Sequence, residues 1–140
     1  QSSPQVFGHN LETVRRLTPA IRSRADYQRS LRVLRYAADW CSRHGSACRV
    51  KSGLMLGLGE TEAEIRAALA DLRQAGVQIL TMGQYLQPRP DNCPVQRHVP
   101  PEEFASWKQI AEEEFGFAAA VCGPLVRSSY LAEDAYRACR

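Results

Sequence analysis

The sequence predicts an α/β fold of parallel strands joined by crossover helices, and three observations carry that prediction. Short apolar runs of strand length alternate with longer runs of helical period along the chain. A glycine turn, Gly57-Leu58-Gly59, stands between one apolar run and a helix start. Small and polar residues recur where each strand ends: His9, Asn10 and Glu12; Gly57, Gly59 and Glu60; Gly83, Gln84 and Tyr85; Arg127 to Tyr130. In parallel α/β folds that edge is the ligand edge.

Gln5 to Phe7 reads as the stub of a first strand, and Leu11 to Leu17 as a helix stopped by Pro19. Residues 18–26 are polar and read as loop. Tyr27 to Arg43 is a helix, with Tyr27, Leu31, Leu34, Ala38 and Cys41 on one stripe and Gly45 as its stop. Val50 to Leu56 is long enough for one buried strand. Thr61 and Glu64 stand at capping-box spacing before a helix over Glu62 to Ala75, which Gly76 closes. Val77 to Met82 is another buried strand, with Gly83-Gln84-Tyr85 after it. Pro88 to Pro100 is a proline-punctuated loop, long for a connector and suggestive of a site or partner surface. Pro100-Pro101-Glu102-Glu103 starts a third helix, with acids at its positive end and a stripe of Phe104, Trp107, Ala111 and Phe115. Phe117 to Val121 is a last strand, Gly123-Pro124 a turn, and Arg127 to Tyr130 leads into a short final helix.

The composition is that of an ordinary globular domain, 44% hydrophobic and 24% charged over 140 residues. No apolar run approaches the ~20 residues of a membrane span, so no membrane partner is expected. The first residue is Gln1, which suggests a processed chain or an excised piece, and nothing in the sequence gives an address. Residues 1–49 carry nine arginines against Glu12, Asp26 and Asp39, whereas the remainder is net acidic. The basic half could steer an acidic partner, although a solvated helix face explains it as well. Without a lysine-rich tract or a basic-aromatic motif, no nucleic acid is expected. The five cysteines are odd in number and form no Cys-x-x-Cys, against both a disulfide framework and a zinc ribbon. Cys41, His44 and Cys48 cluster but lack a fourth ligand.

The glycine turn matches neither nucleotide fingerprint. Glu62 stands where the third glycine of a Rossmann motif belongs, and no Gly-Lys-Ser/Thr follows. A ligand-free strand-to-helix turn is the plain alternative. As a site, the turn of Gly57 and Gly59 would admit a small molecule against bare backbone N–H groups. Asn10 and Glu12, an amide and an acceptor, can each hold a diol, and Arg22 or Arg24 could pair with a carboxylate.

Four stretches are more specific. They are Val6-Phe7-Gly8-His9-Asn10-Leu11-Glu12-Thr13-Val14, Gly53-Leu54-Met55-Leu56-Gly57-Leu58-Gly59-Glu60, Thr81-Met82-Gly83-Gln84-Tyr85-Leu86-Gln87-Pro88 and Gly123-Pro124-Leu125-Val126-Arg127-Ser128-Ser129-Tyr130. Together they closely resemble the second half of lipoyl synthase, a radical S-adenosylmethionine (SAM) family, from about Val6 to Tyr130. Gly53-x-Met55-x-Gly57-x-x-Glu60 is also similar to the superfamily's Gly-x-Ile-x-Gly-x-x-Glu pattern, with Met55 where Ile is usual.

The resemblance implies the C-terminal part of a partial, TIM-like (β/α) barrel over residues 1–122, and a C-terminal segment, 123–140, carrying Arg-Ser-Ser-Tyr. It implies sulfur insertion into a protein-bound octanoyl-lysine, with SAM and two [4Fe-4S] clusters as cofactors. One cluster cleaves SAM to a 5′-deoxyadenosyl radical; an auxiliary cluster is consumed as the sulfur source. The partner would be an octanoylated lipoyl carrier domain or glycine cleavage H protein, in a bacterial cytoplasm, mitochondrion or plastid. The implied SAM residues are Asn10, Glu12, Arg22, Gly53, Met55, Gly57, Gly59, Glu60 and Gln84. Ser129 is the implied auxiliary-cluster ligand, supported by Arg127 and Ser128. The family's Cys-x4-Cys-x5-Cys and Cys-x3-Cys-x2-Cys sets do not occur here, so no cluster role passes to any cysteine. Alone, such a chain is expected to be inactive; the alternative is a catalytically silent α/β module that docks a lipoyl carrier domain.

Overall fold

The computed structural model describes residues 5–22, 26–45 and 47–126. Four parallel strands form one sheet in sequence order: β1 (Gln5–Gly8), β2 (Cys48–Leu56), β3 (Ile79–Gln84) and β4 (Ala119–Cys122). Between them run α1 (Thr18–Ile21), α2 (Tyr27–His44), α3 (Glu62–Gln74) and α4 (Pro101–Gln109). Parallel neighbours joined by helical crossovers, with no strand out of order, are the arrangement of a segment of a (β/α) barrel.

The helices start and stop for local reasons. Asp26 caps α2, its carboxylate accepting from the backbone N–H groups of Gln28 and Arg29. Thr61 and Glu64 form a reciprocal capping box at the head of α3. Leu31, Leu34, Leu69, Leu72 and Phe104 bury against Val50, Leu56, Leu80 and Met82 on one face of the sheet. The opposite face carries a small cluster of Ile79 with Val6 and Val121. That face leads up to the strand ends.

Three expectations about elements are corrected. Leu11 to Leu17 is not a helix: only a 3-10 turn, Arg15–Leu17, forms. Pro19 does not stop a helix but sits in the first turn of α1, where a missing N–H costs nothing. β3 starts and ends two residues later than its apolar run, because Gly83 and Gln84 continue the ladder opposite Met55 and Leu56. α4 runs on as a π-helical turn, Ile110–Glu114, whose Glu112 accepts from the Ala120 N–H at 2.9 Å and so ties the helix to β4.

Cys41 and Cys48 are disulfide-bonded, with Cα atoms 5.2 Å apart, a pairing that the cysteine spacing did not disclose. His44 stacks on Trp40 with ring centroids 4.0 Å apart and holds its carbonyl through Nδ1. The Cys41–His44–Cys48 trio therefore does not gather as metal ligands.

Candidate functional site

A cavity of about 220 Å³ opens at the C-terminal ends of β2 and β3. Gly53 and Met55 from β2, Thr81, Gly83 and Gln84 from β3, and Asn10 and Glu12 from the segment after β1 line it, with Leu54, Leu86 and Val126. Strand periodicity explains the grouping. Gly53 and Met55 share a face, as do Thr81 and Gly83, and the register sets Gly53 beside Thr81 and Met55 beside Gly83.

Asn10 and Glu12 are delivered by an unusual backbone. Glu12 has φ of +76°, a left-handed conformation that a residue with a Cβ rarely adopts. It is held there by two ladder bonds: its N–H donates to the Gly53 carbonyl at 2.9 Å, and its carbonyl accepts from the Met55 N–H at 2.8 Å. Such local strain is found where a side chain must be aimed. Burial pushes the Glu12 carboxyl above its usual range, against the opposing pull of Arg22 and of a hydrogen bond from Asn10. His9, beside them, is held below its usual value by burial first and the Arg22 charge second.

The cavity floor is shaped by missing side chains. A Cβ on Gly53 would stand 2.6 Å from Thr81 Oγ1 and 3.1 Å from Asn10 Oδ1. One on Gly83 would meet the Val126 carbonyl at 2.2 Å. The result is a cradle of bare backbone rimmed by an amide, a hydroxyl and a carboxylate.

The glycine turn is a different object, and the expectation of bare N–H groups there is corrected. Glu60 folds back on its own turn: its carboxylate accepts from the Gly57 N–H at 2.9 Å and the Leu58 N–H at 3.0 Å. The Gly57 carbonyl takes the Gln96 N–H at 2.8 Å, and the Gly59 carbonyl takes Arg16 Nη2 at 3.0 Å. The space over Gly57 is filled by the protein, since a Cβ would meet Gln84 Nε2 at 2.5 Å and the Arg97 carbonyl at 2.6 Å. Gly57, Gly59 and Glu60 do not line the cavity.

Gln84 reaches the cavity wall, but its polar atoms are engaged. Nε2 donates to the carbonyls of Tyr85 at 2.9 Å and Arg97 at 3.1 Å, and Oε1 accepts from the Val99 N–H at 2.8 Å. Tyr85 buries its ring and donates its hydroxyl to the Cys93 carbonyl at 2.7 Å. The pair clamps the 93–99 loop to the end of β3. Arg22 does not line the cavity; its Nη1 donates to the Asn10 carbonyl at 3.3 Å and to Ser30 Oγ at 3.4 Å.

The structure thus brings Asn10, Glu12, Gly53, Met55 and Gln84 together around one cavity, and holds Arg22 one residue behind it. Arg127, Ser128, Ser129 and Arg24 lie outside the described residues. Thr81 was missed; the period-two step back from Gly83 was the signal for it. Among the described residues no group of three His, Cys, Asp or Glu side chains is placed to hold a metal ion, so these residues do not fit an iron–sulfur cluster. No described helix is long and apolar enough to cross a membrane.

No family profile matches the chain. Individual relatives do. The chain is 53% identical over 139 residues to a protein named lipoyl synthase from Pyrobaculum calidifontis, covering 97% of this chain and 45% of the relative. It is 52% identical over 133 residues to a lipoyl synthase from Treponema denticola, covering 95% and 43%. With a protein named mitochondrial lipoyl synthase from Branchiostoma floridae it shares 48% over 137 residues, covering 97% and 35%. The chain spans less than half the length of each. It is homologous to the C-terminal half of the lipoyl synthases, which belong to the radical SAM superfamily.

Proposed function

We propose that this chain forms the second half of the catalytic barrel of a lipoyl synthase, and that its cavity receives SAM. The observation that carries the reading is the convergence of Asn10, Glu12, Gly53 and Met55 on one cavity at the strand ends, in a chain about half identical to lipoyl synthases. Bound SAM would be the source of the 5′-deoxyadenosyl radical that takes hydrogen from the octanoyl chain, with methionine released and the one electron for its cleavage supplied from outside the described residues.

The roles follow from donor and acceptor chemistry. Asn10, an amide with both a donor and an acceptor, and Glu12, an acceptor pair, hold the ribose diol. Gly53 lets the adenine lie against backbone, with Met55 packing beside it. Arg22 meets the methionyl carboxylate. Gly57, Gly59 and Glu60 serve the site by fixing the turn that follows β2, and Gln84 by pinning the 93–99 loop to the end of β3. The substrate is an octanoyl-lysine on a lipoyl carrier domain or glycine cleavage H protein, met in the cytoplasm, mitochondrion or plastid according to source. Among the described residues no ligand set for an iron–sulfur cluster is present.

Calorimetric titration with SAM tests the reading. Asn10→Ala and Glu12→Ala should each weaken SAM by about tenfold, the scale of one lost charge-assisted or paired hydrogen bond. Their melting temperatures should stay near that of the parent. Failure of the parent protein to bind SAM overturns the proposal, as does unchanged affinity in both variants.

A further inference from the structure

We infer that Ser30 is a positioning residue: it aims the Arg22 guanidinium at the anionic end of the ligand. This rests on the reading of the cavity as a SAM site. Ser30 lies in the first turns of α2 and is only 4% exposed. Serine inside a helix commonly returns its hydroxyl to its own backbone. Here the hydroxyl points across the molecule instead. Its Oγ lies 3.2 Å from His9 Nε2 and 3.4 Å from Arg22 Nη1.

Proton bookkeeping orients the chain of contacts. A guanidinium only donates, so the Ser30 oxygen accepts from Arg22. The serine proton is then free to go to His9 Nε2, which must be unprotonated to take it. The buried setting of His9 beside Arg22 favours that neutral form. The same Arg22 nitrogen also donates to the Asn10 carbonyl at 3.3 Å. One nitrogen of the guanidinium is therefore fixed from two sides, by the helix and by the segment after β1. Among the described residues, Nε and Nη2 make no hydrogen bond with protein. They form the edge that can take a carboxylate in two parallel bonds.

Arginine is long and rich in rotamers; the Arg22 N–H caps α1 by donating to the Thr18 carbonyl at 2.8 Å, which fixes its backbone and leaves its side chain to be oriented. An anchor is what turns such a side chain into a directed one. Ser30 provides it from α2, an element that contributes nothing to the cavity lining itself. Of the two contacts that hold Nη1, it is the one that a side-chain substitution can remove.

The test separates the two ends of the ligand. Two probes are titrated calorimetrically into the purified protein: S-adenosylhomocysteine, which carries the amino-acid carboxylate, and 5′-methylthioadenosine, which lacks it. Ser30→Ala should weaken S-adenosylhomocysteine by about tenfold and leave methylthioadenosine within about twofold, since only the former uses the charged hydrogen bonds. Ser30→Thr, which keeps the hydroxyl, should restore most of the loss. In an Arg22→Gln background Ser30→Ala should have no further effect on S-adenosylhomocysteine, which shows coupling rather than general damage. Equal loss for both probes, or no loss for either, overturns the inference. Should Ser30→Ala not fold, Arg22→Gln alone decides: equal weakening of both probes would overturn it. A parent protein that binds neither probe removes the SAM reading itself, a different failure from a parent that binds both with Ser30 inert.

Discussion

Gly53 and Gly57 stand four residues apart, and neither leaves room for a side chain, for opposite reasons. Gly53 faces the cavity: the atoms its Cβ would strike, Thr81 Oγ1 and Asn10 Oδ1, belong to side chains that line the space a ligand would fill. Gly57 faces the protein. It has φ of +103°, and its Cβ would strike Gln84 and the Arg97 carbonyl, part of the clamp on the 93–99 loop. Two glycines of one motif thus divide the work. One keeps space open, and the other lets the chain close on itself. A motif read as a unit conceals that division.

The largest expected effect tests the second half of the comparison. Gly57→Val combines a left-handed backbone with a clash against a main-chain carbonyl, and should cost about 3 kcal/mol or more. The measurement is urea unfolding; a variant of full stability that has lost only ligand affinity would reverse the assignment. Gly53→Ala should do the opposite. Its neighbour Thr81 Oγ1 is a side-chain atom that can rotate, so stability should fall by about 1 kcal/mol or less, while SAM affinity falls by about tenfold or more. Next comes Gln84→Ala, which leaves the Val99 N–H, buried and without its acceptor, at a cost of about 1–3 kcal/mol. If Gln84 were a ligand contact instead, affinity would fall and the unfolding midpoint would hold.

The smallest effect is a matter of pH. Arg16 holds the Glu64 carboxyl well below its usual 4.5, at about 2, helped by the Thr61 N–H. A carboxyl depressed by folding contributes stability that is present above its unfolded value and lost as pH falls toward 2. Glu12 is shifted the other way by burial, so acid relieves a cost there instead. Unfolding midpoints between pH 5 and about 2.5 should fall less steeply for Glu64→Gln than for the parent, whereas Glu12→Gln should differ from the parent above pH 4.5, gaining stability relative to it as pH rises and the buried carboxyl ionises. Parallel curves for all three proteins would show that neither carboxyl matters to folding.

What was legible in the sequence was what short range decides. The Thr61–Glu64 capping box, the stripe of α2 and the placing of Asn10 and Glu12 at a strand end follow from spacing along the chain, whereas Gly53 and Met55 were read through the family resemblance. What was hidden depended on partners that no pattern along the chain points to. β3 outruns its apolar stretch because β2 supplies a ladder for Gly83 and Gln84. Glu60 was read as a ligand residue, yet the nearest unsatisfied donors were those of its own turn. Gln84 was placed at the cavity, but its hydrogen-bond partners lie in a loop whose path no local pattern encodes. The Cys41–Cys48 bond joins a helix end to a strand start, which meet only once α2 has packed on the sheet.

The order of the strands has a kinetic consequence. Each strand pairs only with its neighbour in sequence, so no strand must wait for a distant one before it can dock. The shortest excursion is from Leu56 to Ile79, and it closes the longest ladder, six register pairs against four on either side. Its loop-closure cost is the lowest and its return the largest. The β2–α3–β3 unit is therefore the expected nucleus, with β1 and β4 adding afterwards from the two edges. Truncations in the core of that unit, such as Leu69→Ala or Leu72→Ala, should slow refolding, whereas Val6→Ala at the edge should mainly speed unfolding.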